Sequence, residues 1–277
     1  MQSVECRVRN GEFLALTTIM NIPKSHPRYK SLKTREKLVE FVKKGITVYE
    51  GLIAHGRGEC FDYLLGEKTT AYAKSAITAA CALLLLARNP VISVNGNVTA
   101  LAAKEIVQLS KVIPAKIEIN LFHRTKERVK KIAEHLYKCG AENIYNIHPN
   151  AKISGIAHAR ALCSKEGIYT ADIVLIPLED GDRAQALINN HKKVIAIDLN
   201  PLSRTAQCAT ITIVDELTRV IPHMIETTKK LKRKTPHELE RIVQNYDNKK
   251  NLSNLLKYIG KRLKNLATKK QSDRNIL

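Results

Sequence analysis

Asp198, Asn200 and Arg204 follow directly on the apolar run 194–197 in KVIAIDLNPLSRT (193–205), so an acid, an amide and a guanidinium collect where a buried strand should end. Ligands of open parallel sheets bind outside the carboxyl ends of the strands, and this trio would suit a nucleotide. Taken alone, it is equally a loop that uses Asn and Pro for its turn and Arg for solubility. Glu179-Asp180-Gly181-Asp182-Arg183 crowds three carboxylates around a glycine. That suits a divalent cation or a substrate ammonium, with a solvated acidic loop as the ordinary alternative. Arg57 stands between Gly56 and Gly58, where the sequence predicts a break between two helices and a guanidinium presented at the turn. Arg35 falls on the apolar stripe of Leu32, Val39 and Val42, where a cation needs either a carboxylate or an anionic ligand. Asn95-Gly96-Asn97 offers backbone N–H groups to a phosphate, or forms a plain strand-to-helix turn with an Asn cap, the slightly favoured reading.

The elements that must position these groups are legible as a series. Strand-like apolar runs at 91–94, 116–119, 143–147, 172–176, 194–197 and 211–214 alternate with helical patterns. This predicts an α/β fold with a Rossmann-like, mostly parallel sheet, flanking helices and additional N- and C-terminal helices. The N-terminal helices fall at 31–44 and on either side of residue 57. A core helix follows at 70–88, and its apolar stretch 79–87 is shorter than a bilayer requires. An amphipathic helix after Asp215 and two basic helices from Pro236 onward complete the chain. Residues 51–58 imitate a P-loop only loosely, with Arg in place of Lys, no following Ser or Thr and no preceding strand.

Composition narrows the partners. The 277 residues are 44% hydrophobic, which supports a sizeable core, and Lys+Arg 46 against Asp+Glu 26 gives a formal charge of +20. Such a surface attracts anions: nucleic acid, an acidic membrane or phosphorylated small molecules. With no Trp and 5% aromatic residues, the stacking signature of single-strand binding is absent, so the Lys229 to Lys234 cluster is expected to be a solvated face. Cysteines at 6, 60, 81, 139, 163 and 208 lack metal-site spacing and are expected to be reduced thiols of a cytosolic protein, without a structural zinc. The first residues lack the apolar core of a secretory signal and are expected to form a loose extension.

Seven blocks carry a resemblance: IPKSHPRYKSLKTREKL (22–38), GLIAHGRGE (51–59), FDYLLGEKT, SVNGNV (93–98), EINLFHRT, VLIPLEDGDR and IDLNPLSRTA. In this order they resemble the archaeal 4-phosphopantoate–β-alanine ligases, or phosphopantothenate synthetases, in register from about Ile22 into the C-terminal helices. The resemblance implies one synthetase domain over 22–277, with a Rossmann-like core at about 89–231, C-terminal helices at about 235–268 and an extension at 1–21. It implies a cytoplasmic homodimer in coenzyme A biosynthesis that converts ATP, (R)-4-phosphopantoate and β-alanine to AMP, diphosphate and 4'-phosphopantothenate. Carried over by motif, the ATP contacts are Arg35, Arg57, Asp198, Leu199, Asn200, Arg204, Thr205, Glu216 and Leu217, with Glu216 at a permissive position that suggests a main-chain contact. Arg57 and Arg204 are expected to act in catalysis, together with Asp182, or else Asp180, on the β-alanine ammonium. Magnesium is expected on the ATP phosphates, without a metal site of the protein's own, and neither nucleic acid nor membrane is expected as a partner. The competing class is a non-catalytic basic RNA-binding protein with a Rossmann-like core. A methyltransferase or dehydrogenase would need a glycine fingerprint that is lacking.

Overall fold

Pro90–Val94 (β1), Lys116–Ile119 (β2), Ile144–Tyr145 (β3), Ile173–Pro177 (β4), Lys193–Ile197 (β5) and Ile211–Ile213 (β6) form one sheet. The computed structural model describes residues 22–274, so the expected N-terminal extension lies outside the described residues. Strand order is β3-β2-β1-β4-β5-β6 and every pair is parallel. This is the doubly wound Rossmann order, and the reversal between β1 and β4 is its topological switch point. The β-branched runs suit strands covered on both faces. Ile92, Leu175, Ile195 and Ile197 join the core on one side, while Val91, Val174, Val194 and Ala196 join the core on the other.

Helices Ala71–Leu85 (α3), Gly96–Val112 (α4) and Leu217–Leu231 (α8) pack together on the first face. The buried alanines 73, 76, 79 and 80 of α3 let the helices approach closely. Tyr29–Lys43 (α1), Tyr49–Leu65 (α2) and Lys126–Lys138 (α5) complete the N-terminal half, and Pro236–Gln244 (α9) and Asn248–Arg274 (α10) close the C-terminal end. Gly181–Asn189 (α6) and the short Arg204–Cys208 (α7) cover the second face. In α1 the buried residues are Leu38 and Phe41, while Arg35 lies outside them and faces α2.

One expected helix is absent. Between β3 and β4 the chain makes a two-stranded antiparallel ribbon, Ala151–Lys152 with Leu162–Cys163, and two short 3-10 turns. Pro149 and Gly155, the latter at φ +83, interrupt any helix there. A non-helical segment lying on a sheet must find partners for its backbone, and side chains from the core supply them. Asn120 Nδ2 donates to the carbonyls of Arg160 and Leu162 (both 3.1 Å), and Asn146 Nδ2 donates to those of Ile119 and Leu162 (2.7 and 2.9 Å). Lys192 Nζ donates to Tyr169 and Ala171 (2.8 and 2.9 Å). The fully buried Glu118 accepts from the backbone N–H groups of Ser164 (3.2 Å) and Ile168 (2.7 Å). Among the described residues no helix is long and apolar enough to cross a membrane. The five described cysteines, Cys60, Cys81, Cys139, Cys163 and Cys208, are free thiols.

Candidate active site

Helix α2 corrects the sequence reading of Arg57. The predicted break at His55-Gly56-Arg57-Gly58 does not occur: α2 is continuous from Tyr49 to Leu65, and Arg57 projects from its middle. Two interior glycines cost a helix roughly 1 kcal/mol each, an amount that packing readily overrides. A Cβ on Gly58 would stand in ordinary van der Waals contact with Leu199 Cδ1 (3.5 Å), so this face of the helix rests on Leu199.

This helix lies across the carboxyl ends of the strands. Near its start the Gly51 carbonyl accepts from Asn97 Nδ2 (2.8 Å), just past β1. Its middle rests on Leu199, just past β5. Near its end Asp62 accepts from Arg219 Nη1 and Nη2 (3.0 and 2.5 Å), in the first turn of α8 after β6. Gly51 to Asp62 spans about 16 Å of helix, and β1 to β6 is three strand spacings, about 14 Å. The helix therefore bridges the C-terminal half of the sheet, and its start lies over the switch point, where doubly wound sheets bind ligands.

The β5 loop is ordered by its own side chains. Asp198 accepts from the Asn200 N–H (2.9 Å) and from the Ser203 hydroxyl, and Asn200 Oδ1 accepts from the Leu202 N–H (2.9 Å). Burial pushes the Asp198 carboxyl above its usual range, while Ser203, the Asn200 N–H and the Arg57 charge draw it back. Leu199 is buried in an apolar cluster with Leu65, Val214 and residues of α10. Glu216 caps α8 by accepting from the Thr218 N–H (2.8 Å), Leu217 is buried beside it, and burial raises the Glu216 pKa.

Around the switch point the acidic loop is already neutralised. Glu179, with its side chain 2% exposed, is shared by Arg160 and Arg183. Arg183 Nη1 also donates to Ser93 Oγ (3.1 Å). Asp180 Oδ1 caps α6, and Oδ2 lies 3.2 Å from Arg160 Nε without a hydrogen bond. Asp182 is exposed and paired with Arg204 Nη2 at 2.5 Å. The carboxylates of this loop serve arginines and a helix cap, and Asp180 Oδ2 is left unbonded. Among the described residues no three His, Cys, Asp or Glu side chains are grouped to hold a metal. Asn95 bridges the switch point, accepting from the Val98 N–H (3.1 Å) as the α4 cap and donating to the carbonyl of Leu178 (3.0 Å). The turn-and-cap reading of Asn95 therefore holds.

The structure thus sets the Asp198-Leu199-Asn200 turn against α2, the helix that carries Arg57. Arg204 and Thr205 stand at the next turn, where the Thr205 hydroxyl donates to the Glu179 carbonyl (2.8 Å). Glu216 and Leu217 lie one strand over. Arg35 is not gathered with them: Nε and Nη2 donate to Glu59 Oε2 (2.9 and 2.6 Å) on the α1 side of α2. Sequence reasoning missed Arg128, Arg160, Asp62 and Arg219. Arg128 and Arg160 occupy stretches without a motif, and Asp62 and Arg219 show their role only when α2 and α8 meet.

A doubly wound sheet with arginines near the carboxyl ends of its strands and a helix laid across them is that of a Rossmann-like α/β protein. The model of the phosphopantothenate/pantothenate synthetase family matches residues 72–262. The chain is 54% identical over 250 residues to the 4-phosphopantoate–β-alanine ligase of Thermococcus kodakarensis, covering 90% of this chain and 96% of that protein. It is 52% identical over 247 residues to the ligase of that name from Methanosarcina mazei, covering 89% and 97%. With the ligase of that name from Methanospirillum hungatei it shares 57% over 203 residues, covering 73% and 83%. The chain belongs to the phosphopantothenate/pantothenate synthetase family.

Proposed function

We propose that this chain joins 4-phosphopantoate to β-alanine at the expense of ATP, through a pantoyl adenylate, and releases AMP, diphosphate and 4'-phosphopantothenate. The observation that carries the reading is the 52–57% identity with ligases of that name. The crevice supports it chemically. A carboxylate must attack the α-phosphorus of ATP, and two anions approach only where fixed cations screen them and hold the line of attack. Arg57 on α2 and Arg204 after β5 supply those cations from opposite walls. The backbone turns at Asp198 to Asn200 and at Glu216 to Leu217 are suited to the ribose and base, and Leu199 seats the roof helix. Arg35 reaches a phosphate only by leaving Glu59, so its part depends on an exchange of partners.

Magnesium is proposed to arrive on the nucleotide phosphates, where it would neutralise the diphosphate, because the carboxylates around the crevice are committed to arginines and caps. Of the two acids considered for β-alanine, Asp180 stands at the switch point with Oδ2 unbonded, whereas Asp182 holds Arg204. Asp180 is therefore the better partner for the ammonium group. Exposed Tyr49 and Ile53 on α2 suit the homodimer we propose, working on small charged substrates in the cytoplasm.

The test supplies ATP, β-alanine and phosphopantoate carrying heavy oxygen in its carboxylate. AMP with one labelled oxygen and an equivalent of diphosphate is the expected product. ADP with labelled orthophosphate would overturn the adenylate, and the absence of any amide product would overturn the ligase.

A further inference from the structure

A cavity lies at the far end of the roof helix. It encloses about 500 Å³ and is lined by Lys68, in the turn after α2, and by Tyr258, Lys261, Arg262, Asn265 and Leu266 of α10. From Gly51, over the switch point, to Gly66, beside this cavity, α2 spans about 22 Å. No carboxylate lines the cavity, and Lys68, Lys261 and Arg262 make no hydrogen bond or ion pair among the described residues. Helix α10 adds to the charge. Between Asn248 and Thr268 it carries no Asp or Glu, and Lys257 and Lys261 stand one turn apart, where like charges repel.

These cations stand on a packed junction of two helices. Gly66 ends α2 in the left-handed region, at φ +89, and its bare backbone lets the Arg262 guanidinium lie against it. Arg262 Nε and Nη2 stand 2.7 and 3.0 Å from where a Cβ on Gly66 would be, and the side chain is half-buried there. The Tyr258 hydroxyl donates to the Leu65 carbonyl (3.2 Å), and its ring packs beside that of Tyr72, with centroids 6.1 Å apart. Leu65 of α2 and Ile259 of α10 are buried in one apolar cluster with Leu199. Packing therefore holds the junction together, and its cations are left without a partner. A merely solvated basic face needs neither a cavity nor the apolar wall that Tyr258 and Leu266 give this one.

We infer that Lys68, Lys261 and Arg262 form a binding site for a phosphorylated organic anion carrying two or more negative charges. Size excludes a bare inorganic ion as the fitting occupant, because cavities of about 300–1,000 Å³ take small organic ligands. The Arg262 guanidinium supplies a planar fork for two phosphate oxygens, and the two ammonium groups act as point charges beside it. The Asn265 side-chain amide, which also lacks a partner among the described residues, is able to donate to a hydroxyl or carbonyl of the ligand. The Tyr258 ring and Leu266 cover its apolar body. An occupant shared by Lys68 and α10 fastens the end of the roof helix to α10. The site does not depend on the ligase reading, since none of its residues belongs to the proposed reaction crevice.

The experiment uses the full chain and reads the lysines directly, by following their acetylation with mass spectrometry at constant ionic strength. Adenosine 3',5'-bisphosphate is the probe. At about millimolar concentration it should slow acetylation of Lys68 and Lys261 about fivefold or more, leaving the exposed Lys229 and Lys230 unchanged. Arg262→Gln should abolish that protection, while its ATP-dependent turnover stays within about twofold of the wild type. Lys68→Gln, a change in an exposed turn, should weaken the protection of Lys261 and serves where the first variant folds poorly. Sulfate at the same concentration should protect clearly less, and equal protection by sulfate would overturn the organic class of the ligand. Equal slowing at Lys249, Lys257 and Lys264 would show a face that collects polyanions and would overturn the site. So would unprotected Lys68 and Lys261, or protection that survives Arg262→Gln.

Discussion

Gly181 and Arg204 leave no room between them: a methyl group on Gly181 would collide with the Arg204 Cβ and stand 3.3 Å from both the Arg204 carbonyl carbon and the Thr205 nitrogen. The turns after β4 and β5 therefore meet backbone to backbone, and the contact fixes Arg204 beside the switch point. Gly181→Ala should force α6 and α7 apart, at a cost of about 1–3 kcal/mol typical of overpacking. Its kcat/KM for ATP should fall with the shift of Arg204. Gly56→Ala is the contrasting case, because a Cβ there meets nothing within 4 Å. In a helix interior that change should stabilise by about 0.5–1 kcal/mol. Chemical denaturation of both variants checks the pair.

Arg57 is exposed on a continuous helix, so packing has no use for its guanidinium. Arg57→Lys should melt within a degree or two of the wild type, yet lose about tenfold or more in kcat/KM for ATP, because an ammonium cannot grip two phosphate oxygens in one plane. Wild-type turnover in a folded Lys variant would remove Arg57 from the phosphate site.

The six parallel strands were legible because each is a β-branched run, and β-branched side chains suit a strand packed on both faces. The polar groups after β1, β4 and β5 were legible for a related reason: no apolar pattern accounts for them. The roof was not. The glycines of α2 look like helix breaks in a linear chain, and only the packing of the helix across the strand ends, with Gly58 over Leu199, shows that it runs through them. The ribbon between β3 and β4 escaped because its partners, Glu118, Asn120 and Lys192, lie far away in sequence. Likewise the pairing of the acidic loop with arginines was hidden, because Arg160 arrives from that ribbon.

Asp62 and Arg219 tie the far end of the roof helix to α8. The same guanidinium also holds Asp215 Oδ1 through Nε and Nη2 (2.9 and 2.6 Å), so each acid helps to orient the other's partner. Asp62→Ala removes the inter-helix bonds but leaves Arg219 with Asp215. Stability should drop by about 1–3 kcal/mol, and KM for ATP should rise because Arg57 loses its anchorage. Arg219→Gln should act in the same direction, and the double variant should cost clearly less than the sum of the two. Additive losses would show that the pair does not hold the roof.

Glu118 gives the protein a pH dependence whose sign follows from its surroundings. It is buried beneath the ribbon, its oxygens accept from the Ser164 and Ile168 N–H groups, and a Cβ on Gly167 would collide with one of them. Burial is the largest influence and pushes its pKa from 4.5 to about 7, against the two N–H groups and the charges of Arg183 and Arg124. A carboxyl whose folded pKa lies above its unfolded one stabilises the fold fully below the unfolded value. That contribution shrinks as pH rises between the two and is gone above the folded value. Between pH 4.5 and about 7 the wild type should therefore lose about 3 kcal/mol from this group alone. Glu118→Gln cannot ionise and presents an amide N–H₂ to one backbone donor. At pH 5 it should be less stable than the wild type by about 1–3 kcal/mol, and the gap should close or reverse by pH 8. Denaturation of both proteins at pH 5, 6, 7 and 8 measures the difference. Parallel curves would mean that Glu118 is ionised in the folded protein throughout, held by its two N–H donors and two arginines against the cost of burial.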